Sequence, residues 1–286
     1  MSLSMLKMTQ LNELKIHQWL QNAINGSVAM SDQTIECVVD EISTALSKQF
    51  QETREEKFRW RMSNVGRPYC QLWYQKNKPE LAENKNTVFL LNMIVGDIVE
   101  AVFKGVMKEA GVAFEDSKSV EGKFGEANIK GTNDLTLDDA VWDVKTASNW
   151  SYNNKFESAE KLAADDTFGY VAQLCGYAHA DEVEPGGWIV LNKNSMEFKF
   201  VPYDIPNQNE VVQEIADKVV ELEANKFRRC YEPVEEFYRR KPTGNKKLSV
   251  ACGFCSFRYD CWNGRIKEEP SRCSTAQEKP MVAYID

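Results

Sequence analysis

The stretch Ile129–Thr146, IKGTNDLTLDDAVWDVKT, constrains this chain more than any other. Ile129, Leu135, Leu137, Val141 and Val144 supply strand-forming bulk, and Asp138-Asp139 reads as a tight turn joining two short strands. With that pair as the loop, Leu137 faces Ala140, and counting back sets Asp134 opposite Asp143. Opposed residues of an antiparallel pair hold their Cβ atoms about 4.5–5.5 Å apart on one face. Like charges repel there, and a cation between them is favoured. Lys145 lies two residues beyond Asp143, so strand alternation aims it at the same face. Two carboxylates and an ammonium then converge, which suits a divalent-metal site with a charged helper. The competing reading is a surface hairpin whose Asp and Lys are solvated.

The chain has 286 residues, 43% hydrophobic and 27% charged, the balance of a soluble globular protein able to bury a substantial core. No apolar run approaches the ~20 residues that cross a bilayer. The longest apolar-rich stretch, Val88–Val95, is interrupted by Asn92. MSLSMLKMTQ lacks the order of a secretory signal, so a cytoplasmic location and no membrane partner are expected. A net charge of −8 argues against a surface coated in basic groups, but a nuclease channel needs only local positive charge. Eight cysteines in an intracellular chain point to metal or redox chemistry before disulfides.

Helices near Leu11–Ala23 and Thr34–Phe50 give residues 1–60 the look of a helical extension, with His17 structural or at the surface. In FRWRMSNVGRPYCQLWY, residues 58–74, Arg59, Arg61 and Arg67 alternate with Phe58, Trp60, Tyr69, Trp73 and Tyr74. That interleaving suits a single strand of nucleic acid, by phosphate pairing and base stacking. Core aromatics with solvated arginines are the other reading. Residues 87–110 form the clearest helix, closed by Gly111 at C′. Glu100 sits on its apolar stripe, with Phe89, Met93, Gly96, Phe103 and Met107 within about 60° of it. A carboxylate there is costly unless paired. Either an ion pair along the helix, from bordering Asp97 and Lys104, or a metal accounts for it; Gly96 leaves room for close approach. Residues 149–158 read as a polar loop over the site. Residues 167–180 read as a helix on which Gln173 and Tyr177 share a face while Val171, Leu174, Cys175 and Ala178 turn to the core. His179 is off that face and takes no role. A second hairpin is expected over residues 187–203 and an amphipathic helix over 208–228. PVEEFYRRKPTGNKK then reads as an exposed linker.

The last constellation is Cys252-x2-Cys255-x5-Cys261. Three thiolates so spaced can hold one soft centre, with a fourth from Cys70 or Cys273. Cys37, Cys175 and Cys230 fit better as buried small apolar residues. Four thiolates suit tetrahedral zinc or a [4Fe–4S] cluster, and the residues do not separate the two.

The order Gly96-x3-Glu100, Gly131-x2-Asp134, Asp143-Val-Lys145 and Gln173-x3-Tyr177 resembles the PD-(D/E)XK nuclease superfamily, and within it the RecB-like branch. One cysteine upstream followed by C-x2-C-x5-C is similar to the iron–sulfur members, such as the CRISPR-associated adaptation nuclease, the AddB nuclease domain and phage exonucleases. The resemblance runs from Cys70 to Cys261. It implies an α/β, restriction-endonuclease-like fold: a mixed central sheet flanked by helices, with a helical part at 1–60, a core at 61–240 and a cysteine lobe at 241–286. It further implies that Glu100, Asp134, Asp143 and the Val144 carbonyl bind Mg²⁺ or Mn²⁺. Lys145 would activate water, and Gln173 and Tyr177 would position DNA or the lysine. Cys70, Cys252, Cys255 and Cys261 would hold a [4Fe–4S] cluster, with Zn²⁺ as the alternative. From the interleaved basic and aromatic residues, Arg61 and Arg67 would contact DNA; by the resemblance, the expected activity is exonucleolytic. Many RecB-like relatives carry histidine where this chain has Glu100, and a carboxylate there leans toward Mg²⁺ as much as Mn²⁺. No G-x4-G-K-[ST] motif occurs, so any unwinding falls to a helicase or recombination partner.

Overall fold

The computed structural model describes residues 3–51, 57–84 and 87–286; residues 1–2 and 52–56 of the expected N-terminal extension lie outside it. In chain order come α1 (Leu3–Ile24), α2 (Asp32–Phe50), α3 (Tyr69–Asn77) and α4 (Thr87–Glu109). Strands β1 (Glu115–Asp116), β2 (Ser119–Phe124), β3 (Ala127–Thr132), β4 (Leu135–Leu137) and β5 (Ala140–Ala147) follow. Next are α5 (Asn149–Asn154), α6 (Ala159–Ala164), α7 (Tyr170–Asp181), β6 (Glu184–Asn192), β7 (Phe198–Pro202) and α8 (Gln208–Glu223). The chain ends with β8 (Val234–Tyr238), β9 (Lys241–Lys247), α9 (Val250–Gly253), α10 (Arg258–Cys261), β10 (Ile266–Pro270) and β11 (Met281–Ile285).

The residues divide into two compact units. One comprises Met1–Glu55, Trp60–Gly66 and Lys85–Val219, and the other Glu56–Arg59, Arg67–Asn84 and Val220–Asp286. The expected boundaries at 60 and 240 are therefore corrected. Of the N-terminal helices, α1 puts an apolar side chain into the core of the larger unit. Ile16 of α1 is fully buried with Phe103, Val106 and Met107 of α4 in one core.

The larger unit is α/β. Its five-stranded sheet has the order β1-β4-β5-β6-β7, with β5 and β6 parallel and the remaining pairs antiparallel. Both faces are covered. Ala140, Trp142 and Val144 of β5 face the core shared with α1 and α4. Val141 and Ala147 face the other core, with Leu174, Cys175 and Tyr177 of α7 and Val211, Ile215 and Val219 of α8. β2 and β3 form a separate ribbon, so Ile129 stands on β3 and not on the strand before the turn. That turn is as expected: Asp138 and Asp139 have φ of 54° and 56°, and Leu137 pairs with Ala140.

The apolar stripe of α4 is only half used. Phe103 and Met107 are buried, while Phe89 and Met93 near its start are exposed. Residues 149–158 fold into α5 and a following helical turn, capped by Ser148, in place of the expected loop. Among the described residues, no helix is long and apolar enough to cross a membrane.

The smaller unit has a four-stranded sheet, β10-β11-β9-β8. The expected linker at 233–247 is the β8–β9 hairpin, turning at Arg239-Arg240 with φ of 49° and 65°. Its charges mislead because one of them is structural. Glu236 is buried and accepts hydrogen bonds from Tyr284, Asn245 and Thr243. Tyr74, Cys252, Phe257, Cys261, Trp262 and Ile266 form the core of this unit.

Candidate active site and thiol cluster

Asp134 lies one residue before β4, and its carboxylate continues the ladder that the strand no longer supplies. Its Oδ2 accepts from the Val144 N–H at 2.7 Å, which fixes the carboxylate beside β5. The register Leu135↔Trp142 brings Asp134 opposite Asp143, and the two carboxylates are in contact. Lys145 Nζ stands 2.5 Å from Asp143 Oδ2. The Asp143 side chain is 2% exposed, and neither of its oxygens has a well-directed hydrogen bond. Burial pushes its carboxyl up to about 7 against the pull of Lys145, with Asp134 adding to the rise. Burial pulls Lys145 the other way, but Asp143 and Asp134 outweigh it and hold the ammonium charged.

Helix α7 closes this face. The Asp166 carboxylate accepts from the backbone N–H groups of Gly169, Tyr170 and Val171 at 2.8, 2.9 and 2.8 Å, anchoring the first turn. Gly169 is left-handed at φ 78°, and a Cβ on it would meet the Gly66 backbone at 2.3 Å, so segment 60–66 packs tightly against this helix start. Gln173 lies beside Tyr177, whose phenol burial pushes up and whose charged neighbours are Asp134, Asp143 and Lys145. The Gln173/Tyr177 face thus meets the Asp/Lys strand. Sequence reading missed Tyr170, one turn before Gln173, whose ring centroid is 5.4 Å from Lys145 Nζ. The i, i+3 spacing to Gln173 was the available signal.

Glu100 arrives from α4, on the other layer. It is paired with Lys104 Nζ at 3.1 Å, and Lys104 also holds Asp116 at 3.0 Å, so the ion pair along the helix is present. Burial raises its carboxyl to about 7; Asp134 adds to the rise, and Lys104 and then Lys145 oppose it. Glu100 therefore senses the hairpin while its charge is balanced locally. Gly96 faces Thr146, with 3.8 Å from a built Cβ to Oγ1, so space there is ordinary and a side chain would fit.

Trp60, Tyr69, Trp73 and Tyr74 are packing residues. Trp60 packs on the larger unit's core, and Tyr69 and Tyr74 are buried in the smaller unit. Arg61 lies in the larger unit, where its residue bridges Lys130, and Arg67 in the smaller. Of the two readings of this segment, the burial of Trp60, Tyr69 and Tyr74 fits core aromatics. His17 stacks on Phe198 at 4.5 Å, a packing role.

In the smaller unit, a small cavity is lined by Cys70, Cys252, Cys255 and Cys261 together with Trp262 and Arg258. α3 carries Cys70, α9 carries Cys252 and α10 carries Cys261. Cys230 is corrected from a buried filler. It is half-buried, accepts from the Cys70 N–H at 3.1 Å, and lies in thiol contact with Cys70. Cys273 is elsewhere, against Ser271 Oγ at 3.5 Å, and Cys37 is exposed where a buried position was expected. All eight cysteines are free thiols. Among the described residues, no three His, Cys, Asp or Glu side chains stand in a metal-holding arrangement.

No protein-family model matches the chain, and no curated protein matches it. A solved structure titled "Crystal structure of SSO0001" is similar at 16% identity and a TM-score of 0.41, over 78% of this chain and 93% of that one. A likeness that distant bears on neither fold family nor function.

Proposed function

We propose that this chain is a metal-dependent deoxyribonuclease of the PD-(D/E)XK kind, RecB-like, acting at DNA ends. The observation that carries the reading is Asp143: a buried carboxylate in contact with a second, short of hydrogen bonds and held by one lysine. A carboxylate pair withdrawn from water is costly unless cations offset it, and an all-oxygen donor set suits a hard divalent ion. Asp134, Asp143, the Val144 carbonyl and Glu100 would hold Mg²⁺ or Mn²⁺. Such an ion supplies neutralisation of the phosphodiester and a more acidic water.

The chain's own residues divide the remaining work. Lys145 Nζ stays protonated beside Asp143 and offsets phosphate charge at the end of β5. Tyr177, beside Gln173 on the same face of α7, presents a neutral hydroxyl toward the carboxylates and orients what enters. Asp166 keeps α7 in register with β5.

The test is degradation of linear DNA labelled at its 5′ or 3′ end, with Mg²⁺, with Mn²⁺ and with chelator. Ion-dependent cleavage by wild type, lost in Asp143→Ala and Lys145→Ala variants that keep wild-type circular dichroism, is the expected result. Full activity in either folded variant overturns the assignment. A second reading, a non-catalytic DNA-end binder, draws on Glu100 being committed to Lys104. Retention of labelled ends without cleavage would favour it.

For the thiols, the cavity lined by four cysteines is of the donor type that takes a [4Fe–4S] cluster or Zn²⁺. Cys70, Cys252, Cys255 and Cys261 would hold it, with a structural role in joining α3 to α9 and α10. Broad visible absorbance after anaerobic purification distinguishes iron–sulfur from colourless zinc protein.

A further inference from the structure

Five cysteines, not four, gather in the smaller unit. Cys70 is central: its thiol contacts both Cys230 and Cys261. Cys252 is within electrostatic reach of Cys261 and of Cys230. Cys255 stands beside Cys252 and Cys261 and lines the same cavity as Cys70. Three inner thiols are thus flanked by two outer ones, Cys230 next to Cys70 and Cys255 next to the α9–α10 pair.

Of the two outer sulfurs, Cys230 has a backbone N–H aimed at it. Cys70 N–H donates to Cys230 Sγ at 3.1 Å, and the Phe257 backbone lies near Cys255. Donors of this kind orient metal-bound sulfur and spread its charge. Positive charge is also at hand. The Arg229 guanidinium donates to the Cys261 carbonyl oxygen at 2.8 Å and lies over the Trp262 ring at 4.2 Å, and Arg228 is close to Cys230. Cys273, with its Ser271 contact, shares none of these features.

We propose that Cys230 is a fifth sulfur donor of this site, interchangeable with Cys255 around the common trio Cys70, Cys252 and Cys261. The ligand class is a thiophilic divalent ion or an iron–sulfur cluster. The inference rests on the soft-metal reading above and is independent of the nuclease reading. A structural soft-metal site is closed by four donors, so a site with five thiols tolerates loss of either outer one better than loss of both.

The experiment is anaerobic titration of the reduced, chelator-treated full-length protein with Co²⁺ alone, read by the thiolate-to-cobalt absorbance. Variants are C230S, C255S, C230S/C255S and C273S, each checked for folding by circular dichroism. Wild type, C273S and both single variants are expected to take up one equivalent. The double variant should bind at least about 10-fold more weakly than C255S, a loss no smaller than that of an outer-shell partner. Three results overturn the proposal: a double variant that binds like C255S, a C255S protein that binds no cobalt, or a wild type that binds none. Only the last also removes the soft-metal reading, so the two failures are told apart.

Discussion

Lys145 Nζ stands 2.5 Å from Asp143 Oδ2 of the same strand, with the carboxylate 2% and the ammonium side chain 18% exposed. Two charges so far withdrawn from water depend on each other. Removing one strands the other, whereas removing both relieves the desolvation cost. In metal-free protein, Lys145→Met should therefore lose up to about 3–5 kcal/mol, and Asp143→Asn/Lys145→Met should recover part of it. Urea unfolding of the two singles and the double closes this cycle. A double variant less stable than Lys145→Met would show that the pair is not mutually dependent.

Two glycines of the resemblance motifs should respond with opposite signs. A Cβ at Gly131 would sit 2.7 Å from Tyr177 Cε1 and from Met62 Cβ, inside a packed core. Gly131→Ala should destabilise by about 1–3 kcal/mol and displace the Tyr177 ring. At Gly96 a Cβ would make ordinary contact at 3.8 Å from Thr146 Oγ1. Gly96→Ala should stabilise α4 by as much as ~1 kcal/mol. Thermal melts of both variants decide the matter.

Asp166 holds three backbone donors at the start of α7. Asp166→Ala leaves those N–H groups without their carboxylate and should cost about 1–2 kcal/mol. Hydrogen exchange should then rise at residues 169–171 while that of β5 stays unchanged. Equal exchange in wild type and variant would mean that the first turn is held by other contacts.

Glu109 ties the end of α4 to the start of α2, accepting from Ser31 Oγ at 2.6 Å, the Ser31 N–H at 3.2 Å and Thr34 Oγ1. The Ser31 hydroxyl bond, then that of Thr34, lowers its carboxyl below the ordinary value of 4.5. A depressed folded pKa gives stability that is present above the unfolded pKa and lost as pH falls through the folded one. Glu109→Gln should thus flatten part of the stability loss below about pH 4.5 and change the slope little near neutrality. Because the group is exposed, the effect is small, and unfolding curves at closely spaced acidic pH values are the measurement.

The local chemistry of the site was written into the chain. Asp138-Asp139 dictated a two-residue hairpin, that hairpin fixed the register, and the register set Asp134 against Asp143 with Lys145 on the same face. The Gln173/Tyr177 spacing likewise marked one side of α7. These are short-range consequences of strand and helix periods, so sequence suffices for them.

Other features were decided only by packing at long sequence separation. Glu100 reads equally well as a ligand or as an ion-pair partner until Lys104 and Asp116 are placed around it. The aromatics of residues 58–74 were ambiguous until the cores claimed Trp60, Tyr69 and Tyr74. A charge-rich segment became the β8–β9 hairpin because Glu236 found Tyr284, 48 residues on, as a buried partner. Cys230 gave no spacing signal at all. Its place beside Cys70, 160 residues away, follows from how the smaller unit folds back on α3. Periodicity fixes which face a side chain takes, and only the folded chain fixes what that face meets.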